Sequence, residues 1–201
     1  MRGVIRVFAV AALCTLMTAG LGATAALADL KIREVTKHYR ITGSTVGQLA
    51  ASMSKRGPYS RQHRRRAWAT ASRDMTYLLS STRGSSGCKV RGVKVRMTIT
   101  YQMPRPSSLN RLSKRHRTKW RQLYRLLDGH EKVHGRFYRE FAKKVERQLR
   151  RMRPARSCRE LDRRAAAIVK KLGDADSARN DRFDARDSRT YRRVERIYTS
   201  S

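Results

Sequence analysis

Residues 120–145 read WRQLYRLLDGHEKVHGRFYREFAKKV, and the spacing within this stretch decides the fold. Trp120, Leu123, Tyr124, Leu127, Phe141 and Val145 recur at three, four and multiples of about 3.6 residues. That period predicts one long helix, or two consecutive ones, between Leu109 and Met152. Gly129 and Gly135 are its weak points, and Pro154 stops it. Inside the helix lies His130-Glu131-Lys132-Val133-His134. Residues four apart share a helix face, so His130 and His134 can aim two imidazoles at one ion. On a helical wheel both fall with Glu131 on the side of Trp120, Leu127, Phe141 and Val145, away from Arg136, Lys143 and Arg147. The predicted ligands therefore point inward. Zn2+ is the expected ion: it lowers the pKa of a bound water toward about 7, and Glu131 is placed as the general base for attack on a peptide carbonyl.

A catalytic zinc takes three protein ligands and leaves a position open. The extended pattern with a third histidine is absent, because Phe137 and Glu140 stand at the two further positions, and Glu140 projects away from His134. Two candidates are left open for the third ligand. Glu160 lies on the following helix but also completes a capping box with Ser157. Asp184 lies among the acids of the C-terminal stretch, which would reach the site by folding back. His38, His63 and His116 sit among Lys and Arg and are read as surface residues.

Working outward, the first half has the period of strands. From Cys88 to Met103 the apolar residues alternate (Val93, Val95, Met97, Ile99, Tyr101), and Pro104 and Pro106 close the run. Lys31–Thr42 and Ala67–Leu79 read as further strands, with one helix after Ser44 or Thr45 carrying Val46, Leu49, Ala50 and Met53. A last helix runs from Ser157 to Gly173. The expectation is an α+β domain in which a small antiparallel sheet packs on the long histidine-bearing helix and the helix after it. Residues 29–173 form this domain, and 174–201 form a charged tail that docks on it.

The first 28 residues have Arg2 and Arg6, an apolar run from Val7 to Leu21, and Ala26-Leu27-Ala28. This is the pattern of a secretory signal peptide cleaved after Ala28, and the run is too short to span a bilayer. A periplasmic or secreted protein is expected. Removing residues 1–28 leaves a formal charge of +31, from +33 for the whole chain. Such a charge draws a protein to anionic surfaces: lipid head groups, lipopolysaccharide or wall polymer. The alternative is solvated surface with no partner. Nucleic acid would not be met after export, a peptide or protein is the expected substrate, and the oligomeric state is not assigned. Cys14 leaves with the leader, so Cys88 and Cys158 remain. Two cysteines in an exported chain suggest one disulfide, with a pair of buried thiols as the alternative.

The order of features now carries a resemblance. Tyr39-Arg40-Ile41-Thr42-Gly43 precedes a helix; Gly57-Pro58, Ala67-Trp68-Ala69-Thr70 and Cys88-Lys89-Val90 follow; then come Trp120, the HEKVH segment and Cys158. This resembles a bacterial family of secreted proteins, a domain of unknown function described as predicted zinc-dependent proteases, over roughly Tyr39 to Thr190. The resemblance implies a zincin-like α+β domain, zinc at His130 and His134, Glu131 as general base, and a Cys88–Cys158 disulfide. The family pattern ends in a Tyr-Asp-x-x-Thr-x-His-Gly-like segment. The matching stretch here is Phe183-Asp184-Ala185-Arg186-Asp187-Ser188-Arg189-Thr190. Arg189 stands where that pattern has a histidine, so Asp184 or another carboxylate is left to complete the site.

Overall fold

In the computed structural model, residues 27–60, 64–85 and 87–199 are described. The expected leader, residues 1–28, lies outside them except for Leu27 and Ala28, which open the first strand, β1 (Leu27–Ile41). His63 also lies outside. Next come α1 (Val46–Arg56), two short paired strands β2 (Tyr59–Ser60) and β3 (Arg65–Arg66), and the long strands β4 (Thr70–Gly84) and β5 (Gly87–Pro106). Three helices follow: α2 (Lys114–Arg150), α3 (Cys158–Arg186) and α4 (Ser188–Thr199). Among the described residues no helix is long and apolar enough to cross a membrane.

The alternation in β5 works as expected. Val93, Val95, Met97, Ile99, Tyr101 and Met103 are all buried and meet Phe141, Ala142, Val145 and Leu149 of α2. The strand runs on through Pro104 and ends at Pro106. β5 is the middle strand of a three-stranded sheet ordered β1-β5-β4. The antiparallel expectation is corrected here, because β1 pairs parallel to β5 while β4 pairs antiparallel to it. Chain direction is not encoded in a period of two, so alternation alone gave the strands without their sense. Only one face of the sheet carries the core; the other holds Lys31, Arg33, Lys94, Asp74 and Leu78, all exposed.

α2 is a single 37-residue helix, capped by the Ser113 side chain, which accepts from the His116 N–H. It passes through Gly135 because a side chain there has no room: a Cβ would lie 1.9 Å from the Tyr101 hydroxyl. At this point the helix backbone lies directly against the end of the Tyr101 side chain. Gly87 also has a required place, with φ 99° and a would-be Cβ 2.3 Å from the Ala155 carbonyl oxygen. That close approach brings Cys88 beside Ala155, whose backbone N–H and C=O it pairs with at 2.9 and 2.8 Å. The Cys88–Cys158 disulfide forms at this junction, joining residues 70 positions apart in the chain.

Gly173 does not end α3, which continues to Arg186. Its φ is not left-handed, and contacts beyond it outweigh the roughly 1 kcal/mol that a helical glycine costs. Asp176 pairs with Arg73 at 3.0 Å, and Arg179 pairs with Glu140 while lying 3.8 Å over the Phe137 ring. α4 then packs Val194, Ile197 and Tyr198 into a second core with Ile41, Leu49, Met53, Trp120 and Leu123.

Candidate metal centre

α2 and α3 pack side by side, which sets Asn180 and Asp184 of α3 against His134 and His130 of α2. His130 and His134 sit one turn apart on α2, and their Nε2 atoms are 3.2 Å from each other. Asp184 comes in from α3. Its Oδ1 lies 2.9 Å from His134 Nε2 and 3.2 Å from His130 Nε2. All three donor atoms lie within 4.8 Å of one another, a group able to hold a metal ion. Asp184 Oδ1 is buried and, despite this closeness, makes no hydrogen bond. An orphaned carboxylate oxygen facing two imidazole nitrogens fits a cation between them, and two His with one Asp is a donor set that suits zinc.

The other ring nitrogens are also engaged. His134 Nδ1 is 2.5 Å from Asn180 Oδ1, and His130 Nδ1 is 2.7 Å from Asp187 Oδ2. Asn180 is itself fixed, since its amide nitrogen donates to the Asp176 carbonyl at 2.7 Å. With Nδ1–H donating on each ring, the lone pair of each Nε2 is free for a ligand bond. Phe183 walls the group, its ring centroid 4.9 Å from that of His130 and 5.2 Å from that of His134, and Tyr191 of α4 lies 5.9 Å from His130.

Glu131 is 5% exposed, and the backbone N–H of Ala71 on β4 bonds its carboxylate. Burial raises its pKa, against the pull of the neighbouring histidines. Burial alone would lower His130, but the Asp184 and Asp187 carboxylates outweigh it and hold the imidazole up at about 9. For Asp184, burial pushes upward and the two histidines win, so its carboxyl sits well below the usual carboxylate range. Three carboxylates around two imidazoles make a place where positive charge is favoured, whether that charge is protons or an ion.

The structure thus gathers His130, Glu131, His134 and Asp184, and leaves Glu160 outside. Glu160 accepts from the Arg156 N–H at 3.1 Å and pairs with Arg164 at 2.5 Å, while Ser157 caps its own N–H. It stands 24 residues before Asp184 on the same helix, about 36 Å along the axis. Glu140 is spent on Arg179. His38 is exposed, His116 Nδ1 lies 3.5 Å from the Val46 N–H at the start of α1, and Arg189 is exposed on the first turn of α4. Sequence reasoning missed Asn180 and Asp187. The signal was the spacing 180, 184, 187, three polar residues on one helix face, hidden by the reading of a tail past Gly173.

No curated protein and no solved structure matches the chain. The family model described as bacterial protein of unknown function (DUF922) matches residues 36–190, more than half of its length, and the chain belongs to that family.

Proposed function

We propose that the protein is an exported zinc-dependent endopeptidase, with a fold of the zincin type. The observation that carries this reading is the convergence of His130 Nε2, His134 Nε2 and the orphaned Asp184 Oδ1 one residue from the buried carboxylate of Glu131. A zinc held by these three residues would supply a water of lowered pKa and a Lewis acid for a peptide carbonyl. The chain's own residues do the rest. Asn180 and Asp187 hold the two rings in the tautomer that presents Nε2. Glu131, made more basic by burial, takes up a proton and delivers it to the departing amine. Phe183 and Phe137 exclude bulk water from one side. A signal peptide cleaved after Ala28 would place this chemistry in the periplasm or outside the cell.

The test is metal content and cleavage in one preparation. About one zinc per chain is expected, with cleavage of a mixed peptide library abolished both by chelator and by Glu131→Gln, a variant that still binds zinc. Zinc-loaded protein without Glu131-dependent cleavage would refute the reading. A second reading, favoured by the formal charge of +33, is a non-enzymatic envelope-binding protein that keeps the metal group as a structural relic. Salt-sensitive binding to anionic envelope material, unchanged in His130→Ala and without any proteolysis, is what that reading expects.

A further inference from the structure

Two grooves meet at Arg125 on the first half of α2. The first, of about 600 Å³, runs between the ends of β1 and β5 and the first half of α2. Pro106, Leu109 and Trp120 line it, with Arg105, Arg121 and Arg125 beside them. The second, of about 510 Å³, lies between α2 and α4, where Arg125 recurs with Arg193 and Arg196 over Leu126 and Ile197. Neither groove is lined by an acidic residue. All five arginines are exposed, and among the described residues none is ion-paired with a carboxylate. Leu109 stands 47% exposed at the edge of the first groove.

We infer that this face docks the protein on a membrane surface containing anionic phospholipid. Guanidinium groups pair with phosphate in a fork and stay charged at any physiological pH, which suits the headgroup layer. The apolar lining beneath them decides between possible anions. A hydrophilic polyanion gains nothing from the exposed Leu109 or the half-buried Leu126 and Ile197, whereas a phospholipid offers glycerol and upper acyl carbons to cover them. Arg121 and Arg125 lie nine and five residues before His130, about 180° and 140° round the helix from it at about 100° per residue. Those two arginines therefore face away from the metal group, while Leu126, four residues before His130, shares its side of the helix. The inference deepens the envelope-binding reading, rests on export of the chain, and requires neither metal nor catalysis.

Co-sedimentation of the processed protein with vesicles of phosphatidylglycerol and phosphatidylcholine, against phosphatidylcholine alone, tests it without zinc, so its failure leaves the endopeptidase reading untouched. Each basic side chain at an anionic surface contributes about fivefold to partitioning. The double variant Arg121→Gln/Arg125→Gln should then bind the anionic vesicles about 25-fold more weakly. Lys31→Gln/Arg33→Gln removes the same charge from the open face of the sheet and should change binding by less than about twofold. Leu109→Ser should weaken vesicle binding several-fold while leaving the retention of soluble polyphosphate unchanged. Equal losses from the two double variants would mean diffuse attraction by net charge and would overturn the inference. So would full competition by millimolar glycerol phosphate, which would make the grooves a site for a free anion, or polyphosphate binding that falls with Leu109→Ser.

Discussion

Gly135→Ala is the perturbation on which the packing of the histidine helix is most exposed to test. The new Cβ would lie 1.9 Å from the Tyr101 hydroxyl oxygen and 2.9 Å from its Cζ, distances no real pair of atoms keeps. Tyr101 has nowhere to go: it is 1% exposed in the middle of β5, and its hydroxyl donates to Glu34 Oε2 at 2.9 Å. Overpacking of this kind costs about 1–3 kcal/mol, and breaking a hydrogen bond to a charged acceptor costs about 1.5–3 kcal/mol. Alanine returns about 1 kcal/mol in helix propensity. The net expectation is a loss of about 2–4 kcal/mol. Gly129→Ala, six residues earlier on the same helix with nothing within 4 Å of its Cβ position, should instead gain about 0.5–1 kcal/mol. Urea denaturation of both variants at one pH and in chelator measures the difference directly. Adding Tyr101→Phe to Gly135→Ala should recover about half of the loss, since the nearest clashing atom is gone. A Gly135→Ala protein as stable as Gly129→Ala would refute the claim that Gly135 makes room for the Tyr101 hydroxyl.

Asp184→Asn keeps the shape of the side chain and removes its charge. Zinc affinity, read by competition with a coloured chelator, should fall more than the 10–100-fold typical of a side chain that only supports a ligand, whereas Glu160→Gln should leave it unchanged. The metal-free protein should lose stability as pH rises from about 6.5 to 9. His130 has a folded-state pKa raised to about 9, so its contribution is complete below its unfolded value of about 6.5 and gone above 9, a loss of about 3 kcal/mol. Zinc needs neutral imidazoles and should bind more tightly across that same interval, so urea midpoints with and without zinc should diverge with pH; parallel curves would contradict the site. Reduction of the Cys88–Cys158 disulfide, which closes a loop of 70 residues, should cost about 4 kcal/mol and lower the melting temperature by about 8–16 °C in a scan with and without reductant.

What the chain discloses before folding follows from which interactions are periodic. The β5 alternation and the α2 repeat are local patterns of burial, and both elements stand near their expected bounds. Thr45 and Ser157 cap α1 and α3 as their positions implied, because a cap depends on three or four neighbouring residues. The parallel sense of β1 was not legible, since nothing in Leu30, Ile32 or Val35 records the direction of a partner sixty residues away. Gly173 misled for a related reason: glycine is a local signal for a helix end, and the forces that carry α3 past it come from Arg73, Phe137 and His134 on other elements. Once the helix was stopped on paper, Asn180, Asp184 and Asp187 lost the common face that makes them a unit.

The acids of this protein are scarce enough to argue from individually. Lys and Arg outnumber Asp and Glu 48 to 15, so a carboxylate placed anywhere on the fold tends to find a cation. Asp29, Glu34, Glu140, Glu160 and Asp176 all do, each meeting an arginine. Asp184 and Asp187 meet only histidines, and Glu131 has a backbone N–H. Holding three partly or wholly buried carboxylates without a fixed cation costs several kcal/mol that a single guanidinium would offset. In the metal-free protein the proton retained by His130, its pKa held up at about 9 by the Asp184 and Asp187 carboxylates, supplies such charge. A divalent ion would supply the same charge at the Nε2 atoms and release that proton. The arrangement is therefore balanced only with an exchangeable cation in it, and the carboxylate that makes it so comes from the stretch beyond Gly173. Removing residues 174–201 would take Asn180, Asp184 and Asp187 away together, so that stretch is part of the site itself.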